Sequence, residues 1–227
     1  MFFSKVTFRN PRNLGALIDN EYRIHQLVWD LIPIDPNQHR TFLYRQVGNP
    51  LPMIYILSQA ALRSESELFE VESKTFAPAL GKNIPLQFSV RVNPVVSKYN
   101  EAGKVANNGK KRSSRHDVVM NEKVLLKQKG ESAPSMGEIV HSAVSRWLMS
   151  RSEINGFQVV TESLMISEYT QRELFQKRSS HPIRLSTVDI SGVLTVKDVD
   201  KFTACLRRGL GPAKGFGCGL ILIKPCR

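Results

Sequence analysis

Short runs in which apolar and polar residues alternate, each closed by proline, glycine or asparagine, succeed one another along this chain, with an amphipathic helix after the first. Period-two alternation gives a strand one buried face, whereas spacing of three, four and seven gives a helix one buried stripe. Residues 2–9 read as a strand, and Pro11 and Asn13 break it. A helix is expected over about 14–31, with Leu14, Leu17, Ile24, Leu27, Val28 and Leu31 on one stripe and Pro33 and Pro36 as its stop. Residues 41–47 and 53–57 flank a Gly48-Asn-Pro50 turn and predict a hairpin. Residues 59–83 show no clear period, and a short helix is expected at about 60–69. Leu86–Val92 alternates again and ends at Asn93-Pro94. The order β-α-β-β-(α)-β is that of a ferredoxin-like unit.

The second half yields to the same reading. Strands are expected at 118–126, 157–167 and 185–196, with helices at about 135–151 and 198–208, the latter opened by Asp198. Gly209–Gly219 is a glycine-rich loop, and Leu220-Ile-Leu-Ile223 reads as a closing buried strand. The simplest account is an α+β protein of tandem ferredoxin-like (RRM-related) domains, spanning residues 1–94 and 95–227.

Charge decides the class of partner. Lys and Arg number 32 against 20 Asp and Glu, giving a net charge of +12. Such a surface attracts polyanions, and for nucleic acid the attraction is driven by counterion release. A membrane surface is the lesser expectation, since no basic amphipathic helix or lipidation motif appears. No run approaches the roughly 20 apolar residues of a membrane span. The first nine residues lack the apolar block of a signal peptide. Cys205, Cys218 and Cys226 have no metal-ribbon spacing and form an odd set. A reducing, cytoplasmic compartment is expected.

Basic charge gathers in two places. Lys104, Lys110, Lys111, Arg112 and Arg115 surround Asn107-Asn108-Gly109 without an acidic residue, as in a hairpin tip that contacts phosphates; a charge run alone also fits a solvated loop, and the second basic cluster weighs toward a footprint. Beyond Asp200 there is no Asp or Glu, while Lys201, Arg207, Arg208, Lys214, Lys224 and Arg227 follow. Between them lies Gly209-Leu-Gly-Pro-Ala-Lys-Gly-Phe-Gly-Cys-Gly219. It is neither a P-loop nor a dinucleotide fingerprint, because a helix precedes it and a strand follows. A helix cap at Gly209 and a turn at 211–212 explain two of its five glycines. The rest are expected to let backbone approach phosphate or bases, which makes Gly211, Lys214, Gly215, Gly217 and Gly219 candidate nucleic-acid contacts.

No pair among His25, His39, His116, His141 and His181 has metal-ligand spacing, so neither a metal nor another cofactor is expected. His25 stands apart because spacing of three and four places Tyr22, His25 and Trp29 on one face of the first helix. A histidine at the edge of a core is more often structural than catalytic, and spacing alone leaves both readings open.

Three segments together resemble the CasE family, the repeat-RNA endoribonucleases of subtype I-E CRISPR systems within the RAMP superfamily. They are Tyr22-Arg-Ile-His-Gln-Leu-Val-Trp29, the Arg91-Val-Asn-Pro94 turn, and Gly192-Val-Leu-Thr-Val196 leading into the glycine-rich loop. The resemblance implies tandem ferredoxin-like domains, binding of the stem-loop of each CRISPR repeat, one cut at the 3′ base of the stem, and retention in the Cascade complex beside its other subunits. It places His25 on the family's catalytic histidine, Tyr22 beside it, and the basic segment at 104–115 on the RNA stem. A basic residue of the second domain near the scissile phosphate is also implied; Arg172, Lys177 and Arg178 are the candidates. The alternative is a RAMP-type subunit that holds RNA without cutting it.

Overall fold

A computed structural model describes residues 1–9, 21–33, 40–48, 53–63, 68–99, 113–129, 134–174 and 183–226. The first sheet comprises β1 (Phe2–Phe8), β2 (Leu43–Val47), β3 (Met53–Ser58) and β4 (Phe69–Thr75), in the order β2-β3-β1-β4. All its pairings are antiparallel. Helix α1 (Glu21–Leu31) covers one face, and Ile24, Val28 and Leu31 bury against Val6, Tyr44, Ile54, Ile56 and Phe69. This is the ferredoxin-like strand order.

The second sheet repeats that order with other strands. It runs β11 (Ile221–Pro225), β5 (Pro85–Val92), β10 (Ile183–Val196), β8 (Phe157–Val159), and β9 (Met165–Leu174) also pairs with β10. Helices α3 (Met136–Ser152) and α4 (Val199–Arg208) cover one face. Ile139, Val140, Ala143, Val144, Trp147 and Leu148 of α3 join Phe202, Cys205 and Leu206 of α4 in a core with Phe88, Val90, Ile190 and Leu194. Ser135 and Glu138 form a capping box at the start of α3, and Asp198 caps α4 through the Lys201 amide. The chain is thus an α+β protein of two ferredoxin-like units in tandem.

Several expectations need correction. Leu86–Val92 was expected to close the first sheet, yet β5 lies between β11 and β10 in the second. The fourth strand of the first sheet is Phe69–Thr75, an edge strand whose Glu70, Glu72, Ser73 and Lys74 leave little apolar alternation to read. The change of sheet therefore falls between Thr75 and Pro85, ahead of position 94. Residues 59–63 are not helical, and 64–67 lie outside the described residues.

Residues 118–126 were expected as a strand, but Val118–Lys129 is helix α2. Asp117 Oδ1 accepts from the amides of Val119 and Met120, and that cap overrides the β-branched start. The strand expected at 157–167 is two strands separated by a 3-10 turn at Thr161–Ser163.

The two units meet through the bare face of the first sheet. Leu43 and Leu57 pack there with Leu220, and Phe3, Tyr55, Phe76 and Leu222 close around them. Arg45, 5% exposed, reaches from β2 to the Ser89 hydroxyl at 2.8 Å and toward Asp189 at 3.7 Å. Asp189 also takes two hydrogen bonds from Arg91, at 2.7 and 2.8 Å, so the charge on this joint is held by several partners.

Candidate active site at the joint of the two units

His25 follows Ile24, whose side chain is in the core, so its ring leaves the rim of α1 half-buried. The Trp29 indole N–H, one turn on, donates to His25 Nε2 at 2.9 Å. A neutral imidazole that accepts at Nε2 carries its proton on Nδ1, and an imidazolium could not accept there at all. Burial pushes the His25 pKa below its ordinary 6.5, the Gly215 carbonyl pulls it back in part, and the charge of Arg40 lowers it further. His25 Nδ1 is buried without a hydrogen bond that satisfies it.

The other wall comes from the second unit. Helix α4 ends at Gly209, whose N–H donates to the Cys205 carbonyl at 2.7 Å. The loop that follows is closed at its neck by the Leu210 amide on the Gly219 carbonyl, 2.9 Å, and tied to β5 by the Gly219 amide on the Arg91 carbonyl, 2.7 Å. At its far end a 3-10 turn, Lys214–Phe216, lies on α1. The Phe216 ring stands 6.3 Å from that of His25. Tyr44, buried in the first core, sends its hydroxyl to the Gly215 carbonyl at 2.9 Å.

The glycines divide into two kinds. Gly209, Gly211, Gly217 and Gly219 all take positive φ. At Gly219 a side chain would also meet the Leu210 carbonyl at 2.8 Å, and at Gly217 the Tyr44 ring at 3.3 Å. These four are explained by the loop's own backbone and packing. Gly215 is not among the positive-φ residues, and a methyl built on it would sit in open contact distance, 3.6 Å from His25 Cε1 and 3.9 Å from both His25 Nδ1 and Arg40 Nη1.

Positive charge surrounds this point. Lys214 donates to the Gly211 carbonyl at 2.7 Å, and its pKa is lowered by burial and by Arg40 and Arg208. Arg208 holds the Asn155 side chain at 2.8 Å. Arg40 lies 6.0 Å from the Phe42 ring, and its pKa is lowered by burial. None of the ion pairs among the described residues includes Arg40.

The structure thus brings together His25, Lys214 and Gly215 of the expected residues, with Gly211, Gly217 and Gly219 shaping the same loop. Tyr22 is in the first turn of α1, and its side chain lies outside the described residues. Arg115 is exposed on β7 (Ser113–Asp117), which pairs with β6 (Val95–Tyr99) in a separate two-stranded sheet. These strands bracket 100–112, so Lys104, Lys110, Lys111 and Arg112 lie outside the described residues. Arg172 is exposed on β9, whereas Lys177 and Arg178, with His39 and His181, are also outside. His116 bonds the Ser114 hydroxyl at 2.7 Å, and His141 is exposed on α3. Arg40 and Tyr44 were not foreseen, because neither carries a local motif.

Comparison with known proteins follows this geometry. The model of the family described as CRISPR associated protein matches residues 1–225. The chain is 26% identical over 228 residues to the CRISPR system Cascade subunit CasE of Escherichia coli (strain K12), covering 99% of this chain and 100% of that protein. It is 28% identical over 243 residues to the CRISPR-associated endoribonuclease Cse3 of Thermus thermophilus, again covering 99% and 100%. A solved structure of CRISPR endoribonuclease Cse3 bound to 19 nt RNA has the same fold, with a TM-score of 0.71 at 23% identity, over 99% of this chain and 100% of that one.

Proposed function

The chain is a CasE-type member of the CRISPR associated protein family, and from that premise we propose that it is a metal-independent endoribonuclease of CRISPR repeat RNA. It binds the stem-loop of each repeat, cuts once, and stays on the mature guide as a subunit of the cytoplasmic Cascade complex. The observation that carries this reading is a half-buried imidazole facing a cationic loop. Relatives named as a Cascade subunit and as an endoribonuclease support the assignment of substrate and assembly.

RNA brings its own nucleophile. The 2′-oxygen attacks the adjacent phosphorus and loses its proton to a base, the phosphorus–O5′ bond breaks, and the 5′-oxygen gains a proton. The products are a 2′,3′-cyclic phosphate and a 5′-hydroxyl. His25 carries out one of these proton transfers, a service worth about 10²–10⁴-fold in rate. Taking up a proton obliges Nε2 to release the Trp29 N–H, so the ring changes partner during the reaction. Tyr22 orients the 2′-hydroxyl or the ring. Lys214 and the backbone of Gly211 and Gly215 line the RNA on a loop that Gly217 and Gly219 hold in shape, while Lys104, Lys110, Lys111, Arg112 and Arg115 grip the stem.

Replacing the ribose upstream of the cut by 2′-deoxyribose is expected to stop cleavage and leave binding intact, and EDTA to change nothing. Cutting of the deoxy substrate, or inhibition by EDTA, overturns the mechanism. The Trp29 bond, which occupies the lone pair a base would use, favours the competing reading of a subunit that only holds RNA. His25→Ala separates the two: lost cutting with kept affinity supports the enzyme, and unchanged processing the holder.

A further inference from the structure

Among the described residues, four buried side-chain nitrogen or oxygen atoms lack a hydrogen bond of good geometry, and two of them, Arg40 Nη1 and His25 Nδ1, on which the Gly215 carbonyl only pulls weakly, lie beside Gly215. We propose that Arg40 is a catalytic residue, and that the notch over Gly215 between these two nitrogens seats a non-bridging oxygen of the scissile phosphate. The proposal rests on the nuclease reading and adds to it a residue that no motif marked.

Burying a guanidinium without an acceptor is costly, and a chain keeps such an arrangement where the acceptor comes from a partner. None of the ion pairs among the described residues includes Arg40; its charge bears on Lys214 and His25, and the group that acts on it in turn is the Tyr44 phenol. Arginine is suited to the task because its planar fork meets phosphate through two parallel bonds and keeps its charge at any working pH.

Gly215 supplies the second argument. The other four glycines of the loop are required by positive φ, whereas the missing side chain of Gly215 only leaves room. An atom at its Cβ position is 3.9 Å from each orphaned nitrogen, and a move of about 1 Å brings an oxygen to hydrogen-bond distance. Both nitrogens are buried, so entry of the phosphate requires the neighbouring 3-10 turn to ease away from α1. Tyr44, through its bond to the Gly215 carbonyl, fixes where the turn returns. Arg40 then balances charge on the pentacovalent phosphorus while His25, across the notch, moves the proton.

The test is single-turnover cleavage of a CRISPR repeat RNA from the same genome by the full chain. Arg40→Ala is expected to slow cutting by about 10²–10³-fold while the Kd for the RNA stays within about threefold. Gly215→Ala, which strains no backbone but fills the notch with a methyl group, is expected to slow it comparably. A phosphorothioate at the scissile phosphate gives a third readout: wild type discriminates between the Rp and Sp forms, and Arg40→Ala loses that discrimination. Wild-type rates in both variants, or discrimination untouched by Arg40→Ala, overturn the proposal. If His25→Ala abolishes cutting while these variants cut normally, only the role of Arg40 falls; if His25→Ala cuts normally, the nuclease reading falls with it.

Discussion

Each of the two units carries a tryptophan on a helix packed against its sheet, and the two indoles are used in opposite ways. Trp147 of α3 is 3% exposed, donates to the Val95 carbonyl at 3.1 Å, and lies beneath the Arg151 guanidinium at 4.2 Å. Its ring also backs Gly211, where a methyl would come within 3.2 Å. Trp29 of α1 is half-buried and gives its N–H to an ionisable ring whose other nitrogen is left wanting. The same topology thus yields one saturated corner and one unsaturated corner. Saturation stabilises; unmet bonds are what the proposed reaction site would use.

Four experiments press on that contrast. The largest effect is expected from His25→Ala, which lowers the single-turnover rate by about 10²–10⁴-fold and leaves the fold in place, because Ile24, Val28 and Leu31 carry the packing of α1. Trp147→Ala is expected to cost about 3–5 kcal/mol in denaturant unfolding, as for other buried aromatics. A cost under about 1 kcal/mol would erase the difference between the corners. Removing Lys110, Lys111 and Arg112 together is expected to flatten the dependence of log K on log salt by about two to three units, with no change in the rate of the bound complex. An unaltered slope would leave RNA binding to the joint of the two units.

Trp29→Phe gives the smallest and most diagnostic effect. The indole donates only to a neutral ring, so deleting it favours the charged one, and the His25 pKa rises toward 6.5. With His25 as base, the acid limb of the rate profile lies below pH 6.5 in wild type and moves to higher pH in the variant. The same sign governs folding: a lowered histidine pKa means stability is lost as pH falls from 6.5 through the folded value. A limb that stays in place would show that Trp29 does not restrain the ring.

Much of this architecture was readable from alternation. In Pro85–Val92 every second residue is buried and shows the strand plainly, whereas β2 and β3 bury side chains on both faces, Tyr44 and Ile56 under α1 and Leu43 and Leu57 at the joint. Phe69–Thr75 buries only Phe69, so an edge strand without a second buried position left no period, and β5 was drawn into the wrong sheet. Helix α2 hides behind two β-branched valines, and its start rests on the Asp117 cap ahead of them. The pairing of His25 with Trp29 was legible from spacing within one helix, whereas Arg40 and Gly215 stand 175 positions apart. Only the packing of the loop on α1 makes them neighbours, and no local window reports that.

The Tyr44–Gly215 hydrogen bond spans the seam between the two ferredoxin-like units. Histidine and arginine come from one side of that seam and the loop that confines them from the other. A cut in the chain between Thr75 and Pro85 would part the imidazole and the guanidinium from the loop that faces them. On the proposed reading, substitutions at Leu43, Leu57 or Leu220 are therefore expected to slow cutting from outside the site, by changing how the two units dock.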